Sequence, residues 1–570
     1  MLKIPISIPA LPFRFKLIDA IVLIFIISIL SLIIYVASGW RYEMQPSVEI
    51  SLDPANIPIY SMNSLLRIFL AYILSLVFSI WYGYTANRSR LHEKVMIPLL
   101  DILQSIPVLS FLPGVVLAMI AIFPHRRLSI ELASILLIFT GQVWNMAFSY
   151  YNSINTIPKE LIEVTKVFRL SRFVKFLRLD LPFSAIGLVW NSMMSVAGGW
   201  FFLMACEMFV LKDRDFRLPG IGSYIQTAAN HGDMMHVLYG IGTMIFLIII
   251  LDILIWRPLV AWSQKFRMET VQAEDERESF VLNVIRKSSF VEKINCLFVR
   301  ITKKFEVFYD RISSNSKTPL AWLRKVIKII LFIATIVAIS WAGLRAIKLF
   351  LSLSVEAYLS VFTAAGFSIL RTSAALLIAT LWTVPLGVYI GMNPKAARIL
   401  QPIVQVVASI PATAVFPVIL LFLIKLGGGL AMGSIFLMLL GTQWYILFNV
   451  IAGASAIPQD LKDTAQLYGL KGIRKWKVLI LPGIFPYLVT GLITATGGAW
   501  NASIVSEYVT FGGETMKTRG LGSLISESTV SGDFGLLLVS TVVMAFIVVC
   551  VNRLVWKRMF AIAQEKYRLE

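Results

Sequence analysis

The sequence predicts an all-α polytopic membrane protein with about 12 membrane-crossing helices, arranged as two parallel six-helix repeats. Three observations carry this. Of 570 residues, 58% are hydrophobic and only 15% charged, with a mean hydropathy of +0.78, outside the range of soluble domains of this size. Apolar runs long enough to cross a bilayer recur along the chain. The second half of the chain repeats the first.

The apolar runs fall near 18–37, 62–86, 95–123, 130–152, 183–211 and 237–256, then near 327–350, 360–392, 399–426, 433–454, 483–508 and 535–552. Lys3, Arg14 and Lys16 precede the first run. That run is longer than the apolar region of a signal peptide, so an uncleaved first span is expected. The repeat is written in glycines, prolines and charges. Pro158, Pro182, Gly198, Trp200, Glu207, Gly220, Gly222, Asp233 and Trp256 recur 300 positions later, for example 507 − 207 = 300. Arg67, Pro98, Ser105, Pro107 and Pro113 recur 304 positions later as Arg371, Pro402, Ser409, Pro411 and Pro417. The expected division is therefore a first unit over 1–256, a charged linker over 257–327 and a second unit over 328–570.

Lys and Arg outnumber Asp and Glu by 52 to 32, a net +20. In a soluble chain that excess would point to nucleic acid. Here the basic residues follow even-numbered runs, which sets those loops and both termini in the cytoplasm and leaves no role for nucleic acid. An even number of spans per unit makes the repeat parallel, not inverted. In the linker, Val291, Ile294, Phe298, Ile301, Phe305, Phe308 and Ile312 alternate by three and four, one apolar helical stripe that suits the inner leaflet or, as the alternative, a docking or regulatory contact with a partner. Cys206, Cys296 and Cys550 are scattered, and His231 and His236 lie five apart. Neither a disulfide framework nor a metal site is expected.

Between the fourth and fifth runs of each unit lies a polar, basic insert. In the second copy, Ile457-Pro458 opens a short helix, because proline is tolerated in a first turn. Leu461, Ala465 and Tyr468 follow at i, i+4 and i+7, a narrow apolar knob. Asp460 and Asp463 suit the positive end of the helix, and Gly469 suits its C-terminus. Lys471, Arg474, Lys475 and Lys477 then hold the chain to the inner surface. Such a knob is too small for a core of its own, and two of them call for a two-fold partner.

The string Asp463-Thr-Ala465, then Gly469, then Leu479-x-Leu481-Pro482 resembles the EAA loop of ABC-importer permeases. The first copy keeps the acid in Glu163-Val-Thr165, followed by Phe168, but has Arg169 where the glycine belongs. Pro402-x-x-Gln405 through Ser409-Ile-Pro-Ala-Thr-Ala-Val-Phe-Pro417, with Ser368-x-x-Arg371 before it, resembles the nitrate, sulfonate, taurine and bicarbonate branch, here in a fused single-chain form. The resemblance implies a type I importer fold in a bacterial or archaeal inner membrane. It implies two separate ABC ATPase subunits, which bind ATP and Mg and dock on the coupling helices. It also implies an extracytoplasmic solute-binding protein and a small anion as solute. A fused permease for ferric iron is the neighbouring alternative.

Candidate path residues come from the spans themselves. Prolines at matched places predict kinked helices lining a path, with Ser105 and Ser409 beside Pro107 and Pro411 to satisfy the freed carbonyls. Trp200, Trp500 and Asn501 follow glycine pairs that allow close helix approach. Glu207 and Glu507 are expected near the solvated outer end, where Arg67 and Arg371 lie within reach as a clamp or as anion contacts. Gln142, Asn145, Gln443 and Trp444 sit mid-span, suited to helix–helix hydrogen bonds or to solute. A nucleotide-binding loop needs GxxxxGK[ST]. The nearest string, from Phe511 to Thr518, lacks both glycines, so no ATPase or other enzyme is expected here. An ion-coupled carrier, the rival of another class, would use mid-span acids such as Asp101 and Asp252.

Overall fold

The computed structural model describes residues 49–124, 127–211, 214–266, 321–425, 429–511 and 514–559, with 31, 281–283, 293, 296 and 562 as isolated positions. The expected first span and the apolar stripe of the linker lie outside the described residues. Eight helices among the described residues are long and apolar enough to cross a membrane: Pro54–Ala86, Arg127–Asn155, Arg172–Glu207, Met234–Ser263, Val355–Met392, Gly429–Ala456, Gly472–Ser506 and Phe534–Met559. The helix Ala321–Leu351 covers the run expected at 327–350. Two short antiparallel hairpins, Val210–Leu211 with Arg214–Asp215 and Tyr508–Phe511 with Glu514–Lys517, complete the regular structure.

The third run of each unit is broken, not merely kinked. In the second unit, Pro394–Ser409 meets Ala412–Leu420 at a bend of 80°. In the first, Arg90–Ser105 is followed by a 3-10 turn over Val108–Phe111 and the helix Leu112–Ile122. Ile106 and Ile410, which precede the central prolines, are extended, with ψ of 127° and 118°. Proline disfavours helical geometry in the residue before it, so each helix ends there.

By packing, the chain forms two compact bodies. One comprises the described residues within Met1–Gly39, Asn152–Trp190 and Ile250–Leu331; the other comprises those within Trp40–Tyr151, Asn191–Ile249 and Phe332–Glu570. In the second body a core of Ala379, Val384, Val388, Ile446, Val450, Ala454, Ile484 and Ala495 joins three long helices of the second repeat.

The repeat is kept down to irregularities of the backbone. π-helical turns occur at Phe176–Asp180 and Trp476–Ile480, and again at Asp252–Trp256 and Asn552–Trp556. In the first pair, the Leu181 and Leu481 amides donate to the Phe176 and Trp476 carbonyls, five residues back. Each lies directly before a proline, Pro182 or Pro482, which has no amide proton to continue the α pattern.

The short helices Lys159–Val167 and Gln459–Leu467 end alike. The Leu470 amide donates to the Ala465 carbonyl and the Gly469 amide to the Gln466 carbonyl; Leu170 and Arg169 repeat both bonds, to Thr165 and Lys166. This is the six-to-one helix stop, which needs a left-handed residue. Gly469 supplies it with φ 63°, and Arg169 adopts it with φ 48°, the one non-glycine residue at positive φ among those described. The sequence's departure at Arg169 therefore leaves the geometry of the turn unchanged.

An L-residue in that conformation costs about 1–2 kcal/mol, offset in part by the greater unfolded entropy of glycine. Arg169→Gly is therefore expected to stabilise the turn by about 0.5–1 kcal/mol, read as slower hydrogen exchange at the Leu170 amide. Gly469→Arg, where an added Cβ meets nothing within 4 Å, is expected to speed exchange at Leu470 by a similar factor without displacing the helix. Loss of the helix in that variant would contradict this account.

Candidate functional site

Each repeat buries a carboxylate under the first turn of a short helix. Glu207 and Glu507 are both 0% exposed. The Gly222 amide, in the first turn of Ile221–Asn230, donates to Glu207 Oε2 at 2.7 Å; the Gly522 amide, in the first turn of Leu521–Ser531, donates to Glu507 Oε2 at 2.9 Å. A helix N-terminus offers free amides and positive potential, and here the chain's own carboxylate fills it. Ser64 Oγ donates to Glu207 Oε1 at 2.7 Å and accepts the Ile221 amide at 3.0 Å. Ser368 Oγ repeats this with Glu507 Oε1 at 2.8 Å and the Leu521 amide at 2.9 Å.

An arginine one turn along closes each cluster. Arg67 Nη1 lies 2.6 Å from Glu207 Oε1, and Arg371 Nη1 lies 3.0 Å from Glu507 Oε1. Arg67 Nη2 also donates to the Pro219 carbonyl at 3.1 Å, and Arg371 Nη1 to the Arg519 carbonyl at 2.9 Å. Glycine is required at the rim: a Cβ on Gly220 would come within 2.3 Å of the Glu207 carboxylate, and one on Gly520 within 2.1 Å of Glu507.

The clusters differ in one partner. Arg67 forks onto Glu131, Nε to Oε2 at 2.6 Å and Nη2 to Oε1 at 2.9 Å, while Arg127 Nη2 approaches Glu131 Oε1 at 3.4 Å. In the second repeat the Thr518 hydroxyl accepts from Arg371 Nη2 at 2.8 Å. Either way charges cancel: two arginines with two glutamates in the first, one with one in the second. Glu131 was not singled out from the sequence, because it has no copy in the second unit. An acid within an apolar helix, four residues after Arg127, was the available signal.

These contacts correct the expectation that Glu207 and Glu507 are solvated. Tertiary packing covers them, and Arg67 and Arg371 are 0% and 9% exposed, with all three nitrogens of Arg67 and both Nη atoms of Arg371 donating to protein groups. Trp200 and Trp500 are likewise buried, at 2% each.

The serine expectation also changes. The carbonyls that Pro107 and Pro411 leave free, Leu103 and Val407, accept the Ile106 and Ile410 amides. Ser409 Oγ instead donates to the Gln405 carbonyl at 2.9 Å, and Ser105 ends its helix. The two repeats meet at this level: Asn501 Oδ1 accepts the Val108 amide at 2.8 Å, and Asn501 Nδ2 donates to the Gly497 carbonyl at 3.0 Å. Asp252 is held by Arg257 Nε at 2.8 Å.

On the short helices, the exposed apolar knob keeps Leu461 and Tyr468 of the set the spacing suggests but not Ala465. Ala465, 4% exposed, packs inward with Ile457, Leu479, Ile480 and Ile484. Thr165 is buried too, its hydroxyl donating to the Ile162 carbonyl at 2.7 Å. Both face their own chain because the helix is so short that its one small residue must seat it. The exposed apolar surface is the C-terminal pair, Leu467 at 87% with Tyr468 at 80%, and Val167 at 78% with Phe168 at 72%; Leu461 adds to it at 40%. Glu163 and Asp463 are exposed; Asp463 accepts from Gln459 Nε2 at 2.8 Å.

Beyond the spans, the hairpin of the second repeat is tied down by Lys517, whose ammonium lies 2.7 Å from Glu527. That contact holds it above its usual range. Asp233, which starts a span, is held below the usual carboxylate range by hydrogen bonds from the backbone and ring of His236.

Removing one member of a buried ion pair leaves the other charge uncompensated, at about 3–5 kcal/mol. Glu507→Ala is expected to lose that much, and Glu507→Gln less, since it keeps an acceptor for the Gly522 amide. Gly520→Ala is expected to mimic Glu507→Ala by forcing the carboxylate away. Thermal unfolding of the purified protein in detergent checks this; midpoints of Glu507→Ala and Gly520→Ala no lower than that of the unsubstituted protein would refute the lock.

Comparison with known proteins places this geometry. A family model described as binding-protein-dependent transport system inner membrane component matches residues 75–257 and again 383–557, together more than half of the chain. The chain is 27% identical over 188 residues to a nitrate import permease protein of Leptolyngbya laminosa, covering 33% of this chain and 64% of that protein. It is 30% identical over 182 residues to a taurine transport system permease protein of Escherichia coli, covering 32% and 60%. It is 28% identical over 145 residues to a bicarbonate transport system permease protein of Synechococcus elongatus, covering 25% and 51%. The alignments thus span between half and two thirds of these relatives. With the domain present twice, on helices that repeat even their π turns and buried carboxylates, the chain belongs to the binding-protein-dependent transport system inner membrane component family.

Proposed function

We propose that this chain is the membrane subunit of an ATP-driven importer for a small anion, with both permease halves on one polypeptide. Two separate ATPase subunits, carrying ATP and Mg, dock on Lys159–Val167 and Gln459–Leu467 from the cytoplasm. A solute-binding protein delivers the anion at the opposite face, and both termini are cytoplasmic. The relatives named for nitrate, taurine and bicarbonate support the solute class.

One observation carries the coupling reading. Each short helix ends in two bare apolar residues, Val167-Phe168 and Leu467-Tyr468, immediately before a rigid left-handed stop. Exposed aromatic and aliphatic pairs on a fixed turn suit insertion into a partner's cleft. The seating residues Ala465 and Thr165 support the helix, and the rigid stop aims the pair. Beyond each stop, a π-helical turn leads into a long span, so force on the pair is delivered to a span directly.

The test is ATP hydrolysis by the assembled complex. Tyr468→Asp with Leu467→Asp is expected to cut solute-stimulated hydrolysis at least about tenfold, consistent with the loss of a hot spot of ~2 kcal/mol. Ala465→Gly is expected to weaken the helix without removing the contact. Undiminished stimulation in the double variant would refute docking there. Uptake that continues without any ATPase would refute the importer reading.

A further inference from the structure

Gln142 lies midway along Arg127–Asn155, 0% exposed, and neither its amide oxygen nor its nitrogen has a hydrogen-bond partner. An unpaired buried polar group costs about 1–3 kcal/mol. The ordinary reason for glutamine in a span, a bond to a neighbouring helix, is not met. The amide rests on a glycine: a Cβ on Gly199 would come 2.3 Å from Gln142 Nε2. On the adjoining Gly198, a Cβ would come 3.4 Å from the hydroxyl of Tyr445, which belongs to the second repeat. Consecutive glycines of one helix thus face an amide of their own repeat and a hydroxyl of the other.

The second repeat shows that packing does not need this amide. Thr442, which matches Gln142 at 300 positions, is fully buried and donates to the Met438 carbonyl at 2.8 Å. Its methyl lies 3.4 Å from where a Cβ on Gly498 would sit. The matching pair of helices therefore packs there with every polar atom of that side chain satisfied. Meanwhile the described arginines of the clusters, Arg67, Arg127 and Arg371, are committed to carboxylates.

From these observations we infer that Gln142 and the Tyr445 hydroxyl, across Gly198-Gly199, form an uncharged hydrogen-bonding site for a small oxyanion on the translocation path. The inference rests on the transport reading above and names the residues that recognise the solute. A shift of Gly199 away from the helix Arg127–Asn155, within the first repeat, bares the amide. The Nε2 group and the phenol then donate to the anion's oxygens. A neutral site suits transport: binding must be firm enough for entry and weak enough for exit. A free guanidinium would hold an oxyanion by a charge-assisted fork.

The experiment is uptake by the assembled importer, with labelled nitrate, bicarbonate and taurine as separate probes. For the anion transported, Gln142→Leu and Tyr445→Phe are each expected to raise KM by about 10- to 100-fold, the range for a hydrogen bond to a charged group. Gln142→Glu is expected to abolish uptake by placing a like charge at the site. Gln142→Leu is also expected to raise the unfolding midpoint, because it removes a buried unpaired amide. An unchanged KM in both substituted proteins overturns the site. So does a fall in maximal rate alone, which would mark a structural role. Should Gln142→Leu fail to assemble, Tyr445→Phe, which removes one oxygen atom, decides the matter by its KM. Wild type that imports none of the three probes removes the anion reading and the site with it. Wild-type uptake with unaltered variants removes the site alone.

Discussion

A carboxylate taken out of water must find donors for its oxygens and a positive charge nearby, and few arrangements supply both. Glu207 and Glu507 each meet that demand with a serine, an arginine and a helix N-terminus. The solution fixes much else. Ser64 and Arg67 stand three apart so that both reach one carboxylate from one helix face, and Ser368 and Arg371 do the same. Two glycines are needed where the short helix begins, because a Cβ on the first would meet the carboxylate and one on the second the long helix that carries it. The end of one long helix, the face of another and the loop between Pro219 and Gly222 are thereby held by one group. None of them can shift far without exposing a buried charge.

Where that demand applies, the two repeats agree; where it does not, they have drifted apart. Glu131 in one becomes Thr518 in the other as the second partner of the arginine. Asn501, which binds the Val108 amide, matches Phe201, a side chain with no hydrogen-bonding atom. Arg169 and Gly469 hold one backbone shape at different cost. A protein assembled from two identical subunits could not keep such differences, since every substitution would appear twice. Fusion into one chain lets each repeat diverge separately.

Much of this was legible in the sequence because its signals are local. Span positions follow from the length of apolar runs, and the short helices from a proline, an acid and a glycine in order. The repeat was legible from residues that permit no substitute. What was not legible depends on contacts between distant segments. Glu207 reads as solvated from its place at a helix end, because nothing nearby in sequence announces Ser64, Arg67 and Gly222. Ala465 reads as a docking residue by spacing, since helical periodicity identifies a face but not which way it turns. Glu131 is illegible for the opposite reason: only one repeat has it, so the repeat does not mark it. The prolines marked where the third helices fail. That they would end instead of bend was settled by Ile106 and Ile410, whose extended backbone the following proline favours.

The broken helices show how the molecule contains this disruption. A proline in a span frees a carbonyl, and in hydrocarbon an unpaired carbonyl costs several kcal/mol. Here the amide just before each proline turns back to take it, Ile106 to Leu103 and Ile410 to Val407, so each break is closed within its own strand of chain. The amide on the far side of the first break is the exception, because Asn501 of the other repeat accepts it. The first broken helix is thereby joined to the opposite repeat, and Phe201 supplies no equivalent joint for the second. Movement that separates the repeats must therefore strip a partner from Val108, at a net cost of about 1 kcal/mol if water replaces it, while Ala412 has no such side chain to lose. The two half-helices consequently enter any opening motion on different terms, and the asymmetry lies at the level of the chain where the repeats meet.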